Sequence, residues 1–367
     1  MMEIESADVY RLKVPMHTSY RAAVHDFSTM EAFLVVLTAP DGTRGVGTID
    51  PSPGYSRQTP SEIRDGLSTI LPQLLSDSPD NPNKALLFLK AMEGGENAKC
   101  GVEMAYLDLY CRQRDMSFQE FLGGGLRATE SLNGWVGVDD PESMVARTLD
   151  YKDAGFESVK LKLNGDSETD IERVKAVCKA VDGEMGVRAD VNGAYDVRTA
   201  VRVGQALEGY PLDHLEQPVP LDDINGLREV TQSTTTTIMA DECLLSLSDV
   251  HEVLSKRAAD RIKVKTLRLG GILPTRRALD VASAAGIPAI VGHGFGLSPS
   301  TSSELQLTTT HENVVTPVES VGMLKMESEP FDPVISSEGG NALLPSGNGH
   351  GIRLDESKLA EFCVNTD

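Results

Sequence analysis

The chain has 367 residues, 40% of them hydrophobic and 24% charged, which excludes global disorder and leaves room for a barrel-sized domain with a smaller companion. Aspartate and glutamate number 55 against 34 lysine and arginine, a net charge of −21, and only 14 of the cations are lysine. Such a field repels nucleic acid and anionic membranes, so neither is an expected partner. An acidic, soluble surface is the plain reading, and how this protein handles an anionic substrate is the question it raises.

Cys100, Cys111, Cys178, Cys243 and Cys363 are odd in number and have no CxxC spacing. They are expected to be packed thiols, not a disulfide framework or a thiolate zinc site. The start, Met1-Met2-Glu3-Ile4-Glu5, lacks a basic region followed by an apolar stretch, and no run approaches about 18 apolar residues. A reduced, cytoplasmic enzyme is expected.

In chain order, residues 2–14 alternate as a strand, and 32–37 with 45–47 read as a hairpin turning at Asp41-Gly42. Apolar residues at three-to-four spacing predict helices over 61–75, 84–92 and 102–114, before Gly123-Gly124-Gly125. Residues 1–128 are therefore assigned to an α+β domain. From 129 to 325 the texture becomes strand, polar break, helix. Strand ends fall near Trp135, Lys162, Asp190, Glu216, Asp241, Lys265, His293 and Glu319, spaced 24 to 28 residues apart. Eight such units predict an α/β fold of the (β/α)8 type, with helices over 170–181, 197–207, 247–255, 275–285 and 300–310 between the later strands. Residues 326–367 are read as a C-terminal segment.

The strand ends are polar, and in a parallel barrel the chemistry sits at the carboxyl ends of the strands. Asp190, Glu216 and Asp241 end strands three, four and five. All-oxygen ligation by three carboxylates suits a hard octahedral cation, so Mg2+ is preferred to zinc. Lys160-Leu161-Lys162 closes strand two, and the strand period of two points both lysines the same way. Lys265, in Ile262-Lys263-Val264-Lys265, ends strand six, across the mouth. Two facing lysines can serve as opposed acid and base, since burial and a nearby cation depress their pKa values.

These residues resemble the enolase superfamily, in particular its muconate-lactonizing-enzyme-like subgroup. That pattern is Lys-x-Lys on strand two, Asp, Glu and Asp on strands three to five, and Lys on strand six. The resemblance spans nearly the whole chain, including 103–109 leading to Leu122-Gly123-Gly124. It implies a capping role for 1–128, Mg2+ on Asp190, Glu216 and Asp241, Lys162 and Lys265 as acid and base, and Lys160 beside the substrate carboxylate. It also implies abstraction of the proton α to a carboxylate to give an enediolate, a general pattern of this superfamily. Return of the proton from the opposite lysine gives racemisation or epimerisation, loss of a β-substituent gives dehydration, and reversed intramolecular addition gives cycloisomerisation.

The sequence departs from the pattern where those outcomes are chosen. Strand seven ends in Gly292-His293-Gly294-Phe295-Gly296, where His293 resembles the base of the mandelate-racemase subgroup. It is open as a third proton donor, a substrate contact or a loop histidine bonded to backbone. Strand eight, Thr316-Pro317-Val318-Glu319-Ser320, lacks the Asp-x-Asp with which dipeptide epimerases hold an ammonium, and Glu319 is a candidate hydrogen-bonding partner of the substrate. Asn192 is a further substrate-binding candidate. The loop from His17 through Tyr20 to Met30 and the turn Pro51-Ser52-Pro53-Gly54-Tyr55 are the expected specificity elements over the mouth. Trp135, the only Trp, either packs in the core or offers its face to a cationic amino acid. The 349–355 stretch resembles the family's closing segment, which returns to the capping domain.

The reaction expected from these residues is racemisation or epimerisation of an amino acid or a derivative, with a dehydratase of a hydroxy acid or hydroxy amino acid and a lactonising cycloisomerase as alternatives. A Schiff-base aldolase is the rival enzyme class, separable by borohydride trapping of Lys162 or Lys265. A non-catalytic binding module leaves the converging charges without a role. The expected partners are a small carboxylate substrate and further copies of the chain.

Overall fold

The computed structural model describes residues 2–21, 26–51 and 58–364. The N-terminal unit is an antiparallel sheet of β1 (Ser6–Arg21), β2 (Asp26–Thr38) and β3 (Arg44–Ile49), packed on helices α1 (Pro60–Asp77), α2 (Pro82–Ala91) and α3 (Glu96–Arg112). Leu12, Val14 and Met16 alternate into the core, as the period-two pattern requires. The turn at Asp41-Gly42 forms as expected. Gly42 takes φ +81°, and the Asp41 carboxylate accepts from the Thr43 N–H at 2.8 Å.

The expected loop from His17 to Met30 is corrected in part. Past a register shift between Pro15 and Tyr20 the ribbon continues, pairing Tyr20 with Phe27 and Arg21 with Asp26. The side chain of Tyr20, and Tyr55 altogether, lie outside the described residues.

Among the described residues, seven strands form one parallel sheet: β4 (Asn133–Val136), β5 (Ser158–Lys162), β6 (Gly186–Asp190), β7 (Leu212–Glu216), β8 (Ile238–Ala240), β9 (Arg261–Val264) and β10 (Ala289–Val291). Each lies beside its predecessor in the chain, the order of a singly wound barrel. The helices between them are α4 (Pro141–Asp153), α5 (Ser167–Val181), α6 (Val197–Leu207), α7 (Ile224–Ser233), α8 (Leu247–Lys256) and α9 (Ile272–Ala284), followed by α10 (Ser298–Thr309). Asp140, Asp196, Asp223 and Ser246 cap four of them by accepting a backbone N–H two or three residues into the helix.

The eighth strand is not regular. Residues 314–319 close the barrel through isolated contacts: Val315 N–H to the Ala289 carbonyl (2.8 Å), Glu319 N–H to Val291 (3.1 Å) and Asn133 N–H to Val318 (2.9 Å). Pro317 has no N–H to give to a ladder, which is why the segment binds both neighbours without becoming a strand.

Helix α10 is buried around its whole circumference although its sequence is SPSTSSELQLTT. Its hydroxyls are satisfied partly within the helix, Ser303 donating to the Pro299 carbonyl and Thr308 to Leu305, both at 2.7 Å, and partly by other segments, Ser298 donating to Glu329 at 2.8 Å and Ser300 and Ser302 to the Asp50 carboxylate and the His350 carbonyl. The 349–355 stretch does reach the first unit. His350 N–H donates to Asp108 at 3.1 Å, and its Nε2 lies 2.9 Å from the Val46 carbonyl. All five cysteines are free thiols, and no helix among the described residues is long and apolar enough to cross a membrane.

One close approach packs the first unit, and one contact docks it on the barrel. A Cβ on Gly47 of β3 would stand 2.2 Å from the Gly101 carbonyl oxygen of α3, so only glycine lets the sheet lie on that helix. Glu103 of α3 accepts the N–H groups of Ile272 and Leu273, the first turn of α9, where the helix dipole favours an acceptor. Gly47→Ala is expected to destabilise the protein by about 1–3 kcal/mol, the usual cost of overpacking, read by denaturant unfolding.

Burial pushes the Glu103 carboxyl from its ordinary 4.5 up to about 8. A carboxyl with a raised folded value contributes stability while protonated, fully below 4.5 and lost as pH rises through about 8. Glu103→Gln removes that titration and is expected to flatten the decline of Tm across this interval, measured by thermal unfolding at a series of pH values.

Candidate active site

Parallel pairing sets the site in layers. Lys162, Asp190, Glu216 and Met239 are register partners across β5 to β8, and Lys160, Arg188 and His214 form the row beneath. Asp241 follows β8 and sits two residues beyond Met239, on the same face. Lys265 directly follows β9, four strands round from β5 and so on the opposite side of the mouth. The expected strand-end residues Lys160, Lys162, Asp190, Asp241 and Lys265 all line one cavity, together with Asn192 and Trp135, whereas Glu216 is fully buried and does not line it.

Lysines and carboxylates interdigitate there. Lys160 Nζ lies 2.8 Å from Asp190, 2.6 Å from Glu216 and 3.1 Å from Glu319. Lys162 Nζ lies 2.6 Å from Asp190 and donates to Asn192 Oδ1 at 2.9 Å. Lys265 Nζ lies 2.8 Å from Asp241, whose other oxygen meets Arg268 at 2.6 Å. Burial acts to raise the Asp190 carboxyl, yet Lys160, Lys162 and Lys263 together hold it well below the ordinary range. Glu216 moves the other way, pushed up by burial and then by the charge on Asp190. Burial and the Arg268 guanidinium lower the Lys265 ammonium to about 8.

Two left-handed residues hold the ligand geometry. Asn192 (φ +50°) gives its N–H to Asp190 at 2.9 Å and its side-chain amide to Glu242 at 2.9 Å. Gln217 (φ +37°) accepts the Asp241 N–H at 2.9 Å on its side-chain oxygen. Strained backbone at strand ends of this kind persists where the surroundings over-determine it, as at active sites.

The structure bears on three residues whose roles were open. Glu319, expected to touch substrate, is also bound within the barrel: Lys160, Lys263 and Arg188 (3.3 Å) all contact it. His293 is absent from the cavity lining. Its ring hydrogen-bonds the Asp50 backbone carbonyl, and burial, Lys265 and Lys325 push it down to about 3, so it is neutral at physiological pH. Trp135 does carry a cation, but the chain supplies it, with Lys325 Nζ 5.1 Å from the ring centroid.

Lys263, Arg188, Gln217, Arg268, Glu242 and Lys325 were not singled out from the sequence. Lys263-Val264-Lys265 repeats the Lys-x-Lys of strand two and offered a signal for the first. The others depend on which chain segments meet.

The donor set fits a hard divalent cation. Asp190, Glu216 and Asp241 are at most 1% exposed, and beside them Glu242 Oε2 is buried with no hydrogen-bond partner. A tighter grouping, His214, Glu216 and Glu319, has ligand atoms within 4.8 Å of one another. That grouping includes an imidazole nitrogen, whereas Asp190, Glu216 and Asp241 offer oxygen alone, the donor set that suits a hard cation.

Residues 4–123 match the mandelate racemase / muconate lactonizing enzyme N-terminal domain, and residues 143–358 match the enolase C-terminal domain-like family. The L-Ala-D/L-Glu epimerase of Bacillus subtilis (strain 168) is 29% identical over 356 residues, covering 96% of this chain and 97% of that protein. A chloromuconate cycloisomerase of Cupriavidus pinatubonensis is 29% identical over 337 residues, 90% of each. The crystal structure of muconate lactonizing enzyme from Pseudomonas fluorescens superimposes with a TM-score of 0.94 over 99% of this chain and 100% of that one, at 26% identity. The relatives are isomerases, and the chain belongs to the mandelate racemase / muconate lactonizing enzyme family of the enolase superfamily.

Proposed function

We propose that the protein removes the proton α to the carboxylate of a small substrate and returns it from the other face, racemising or epimerising an amino acid derivative. The observation that carries this reading is the pair Lys162 and Lys265, on opposite sides of one cavity, each with its ammonium on a different carboxylate. One lysine can take the proton while the other delivers one, and the two orders of events act on opposite enantiomers. Asp190, Glu216 and Asp241 would hold Mg2+, which when bound supplies positive charge against the substrate carboxylate as negative charge develops there. Asp190 orients Lys162 with help from Asn192, and Asp241 orients Lys265.

The same geometry needs only one of the two lysines to run a lactonising cycloisomerisation. That second reading is favoured by the chloromuconate cycloisomerase, as similar to this chain as the epimerase is. A dehydration draws no support from His293, which is neutral and outside the cavity lining.

Incubating acids and amino acid derivatives with the Mg2+-loaded protein in deuterated water, with NMR detection of α-deuterium, is expected to show exchange that EDTA abolishes and Mg2+ restores. Lys162→Ala and Lys265→Ala are each expected to lose roughly 10²–10⁴-fold in exchange with one enantiomer while keeping exchange with the other. Full exchange of both enantiomers in both variants would sink the two-base reading, and lactone formation in place of exchange would select the cycloisomerase.

A further inference from the structure

Gly294 and Phe295 line the cavity, and both belong to the stretch 293–297 that joins β10 to α10. Asp50 is bound at both ends of that stretch. It directly follows β3 of the first unit and is 1% exposed. At the near end the His293 ring hydrogen-bonds the Asp50 backbone carbonyl. A neutral imidazole keeps one N–H, which a carbonyl can accept. At the far end the Leu297 N–H donates to Asp50 Oδ2 at 3.3 Å, and Thr48 (2.9 Å) and Ser300 of α10 donate to the same oxygen. The Thr48 and Ser300 hydroxyls lie 2.7 Å apart, which closes the cluster across the two units.

The barrel has ties of its own on these residues. Glu304 of α10 accepts the His293 backbone N–H, and Thr301 donates to the Gly296 carbonyl at 2.9 Å. Glu329 accepts the N–H and the hydroxyl of Ser298, at 2.7 and 2.8 Å, so the first turn of α10 is anchored without Asp50. What Asp50 adds is a bridge from the first unit, one residue whose carbonyl and carboxylate reach positions four apart in the chain. The bridge is not built for stability alone. Asp50 Oδ1 is buried with no hydrogen-bond partner. A buried acid left half-satisfied costs stability, and such costs persist where a group serves a site.

We propose that Asp50 is a positioning residue of the candidate active site: by holding both ends of 293–297, it makes the placement of the Gly294–Phe295 wall depend on how the first unit is docked. This rests on the reading that the cavity is where the α-proton is removed. Lys162 and Lys265 are set by β5 and β9, so loss of the bridge displaces the wall and leaves the two lysines where they are. Trp135 reports the displacement. Lys325 Nζ stands 3.9 Å from the Phe295 ring centroid and 5.1 Å from that of Trp135, so a moved Phe295 changes the surroundings of the only Trp.

The test is amide hydrogen–deuterium exchange over 293–297, read by mass spectrometry, with Trp135 emission recorded on the same samples. In Asp50→Ala, exchange over 293–297 is expected to rise roughly 10-fold and the emission to shift, while 301–309 keeps its protection. Asp50→Asn keeps a side-chain acceptor and is expected to restore both readings. His293→Leu cuts the other tie and is expected to open the same stretch, so whichever of the variants folds carries the test. Leu74→Val, a truncation in the core of the first unit, is expected to leave 293–297 unchanged. Unaltered exchange over 293–297 in the folded variants overturns the proposal. So does a rise shared by Leu74→Val or by the whole chain, or an Asp50→Asn variant as open as Asp50→Ala. For an acid that exchanges its α-proton, Asp50→Ala is expected to raise KM about 10-fold with kcat within about 3-fold. A loss in kcat at constant KM moves the effect to the lysines and defeats the assignment to the wall. Both readings of the loop are made without turnover, so absence of α-deuterium in every acid tested would remove the reaction and leave the role of Asp50 standing.

Discussion

The structure depends on one electrostatic constraint: carboxylates that are at most 1% exposed can stay ionised at the barrel mouth only if positive charge is packed between them. Lys160 meets this most directly, since its one ammonium touches Asp190, Glu216 and Glu319, which come from three different segments of the barrel wall. The network is asymmetric. Asp190 is held low by lysines while Glu216, facing Asp190, is pushed up, so the mouth holds one firmly ionised carboxylate beside one that gains from an additional cation. The lysines bridge these carboxylates, so contacts of the chain itself hold them in place.

The site also depends on where the N-terminal unit sits, and contacts with the barrel backbone fix that position. Gly47 against Gly101 lets β3 lie on α3, and Glu103 carries α3 onto the start of α9. On the other side of the mouth, 325–327 pairs with the part of β1 around residues 15–17. Barrel closure uses the same device. A Cβ on Gly292 would stand 2.4 Å from the Glu319 carbonyl carbon, so this glycine admits the closing segment that brings Glu319 down to Lys160 and Lys263. A shift of the capping unit by even an ångström would move Lys325 relative to Lys162 without touching a barrel strand.

What was legible in the sequence follows from periodicity. Helix α6 lies over Val197–Leu207 as the apolar spacing predicts, and the strand ends at Lys162, Asp190 and Glu216 fall in one register row because side chains repeat every two residues. Where periodicity carries no signal, the reading fell short. Helix α10 starts two residues before the predicted 300 and is polar in composition, because hydroxyls that find acceptors in their own helix or in the segments packed around it can be buried without an apolar stripe. The eighth strand is irregular because of Pro317. Arg188, two residues before Asp190 on the same strand face, is 1% exposed, which a charged residue in a short strand does not announce. Lys325 belongs to no strand at all, and its place at the cavity is a product of domain docking.

The net charge of −21 and the charge at the site act over different distances. Exposed carboxylates are screened over about 8 Å at physiological ionic strength, so they shape encounter with an anion more than its binding. Inside the cavity the neighbours decide, and five of the 14 lysines in the chain are gathered there. Their buried ion pairs are far less open to screening than the surface, so added salt lowers the repulsion an anionic substrate meets on approach while leaving the site's own charge balance nearly intact. An acidic exterior and a cationic interior are therefore compatible requirements, and the medium in which the protein works sets how much the first hinders access to the second.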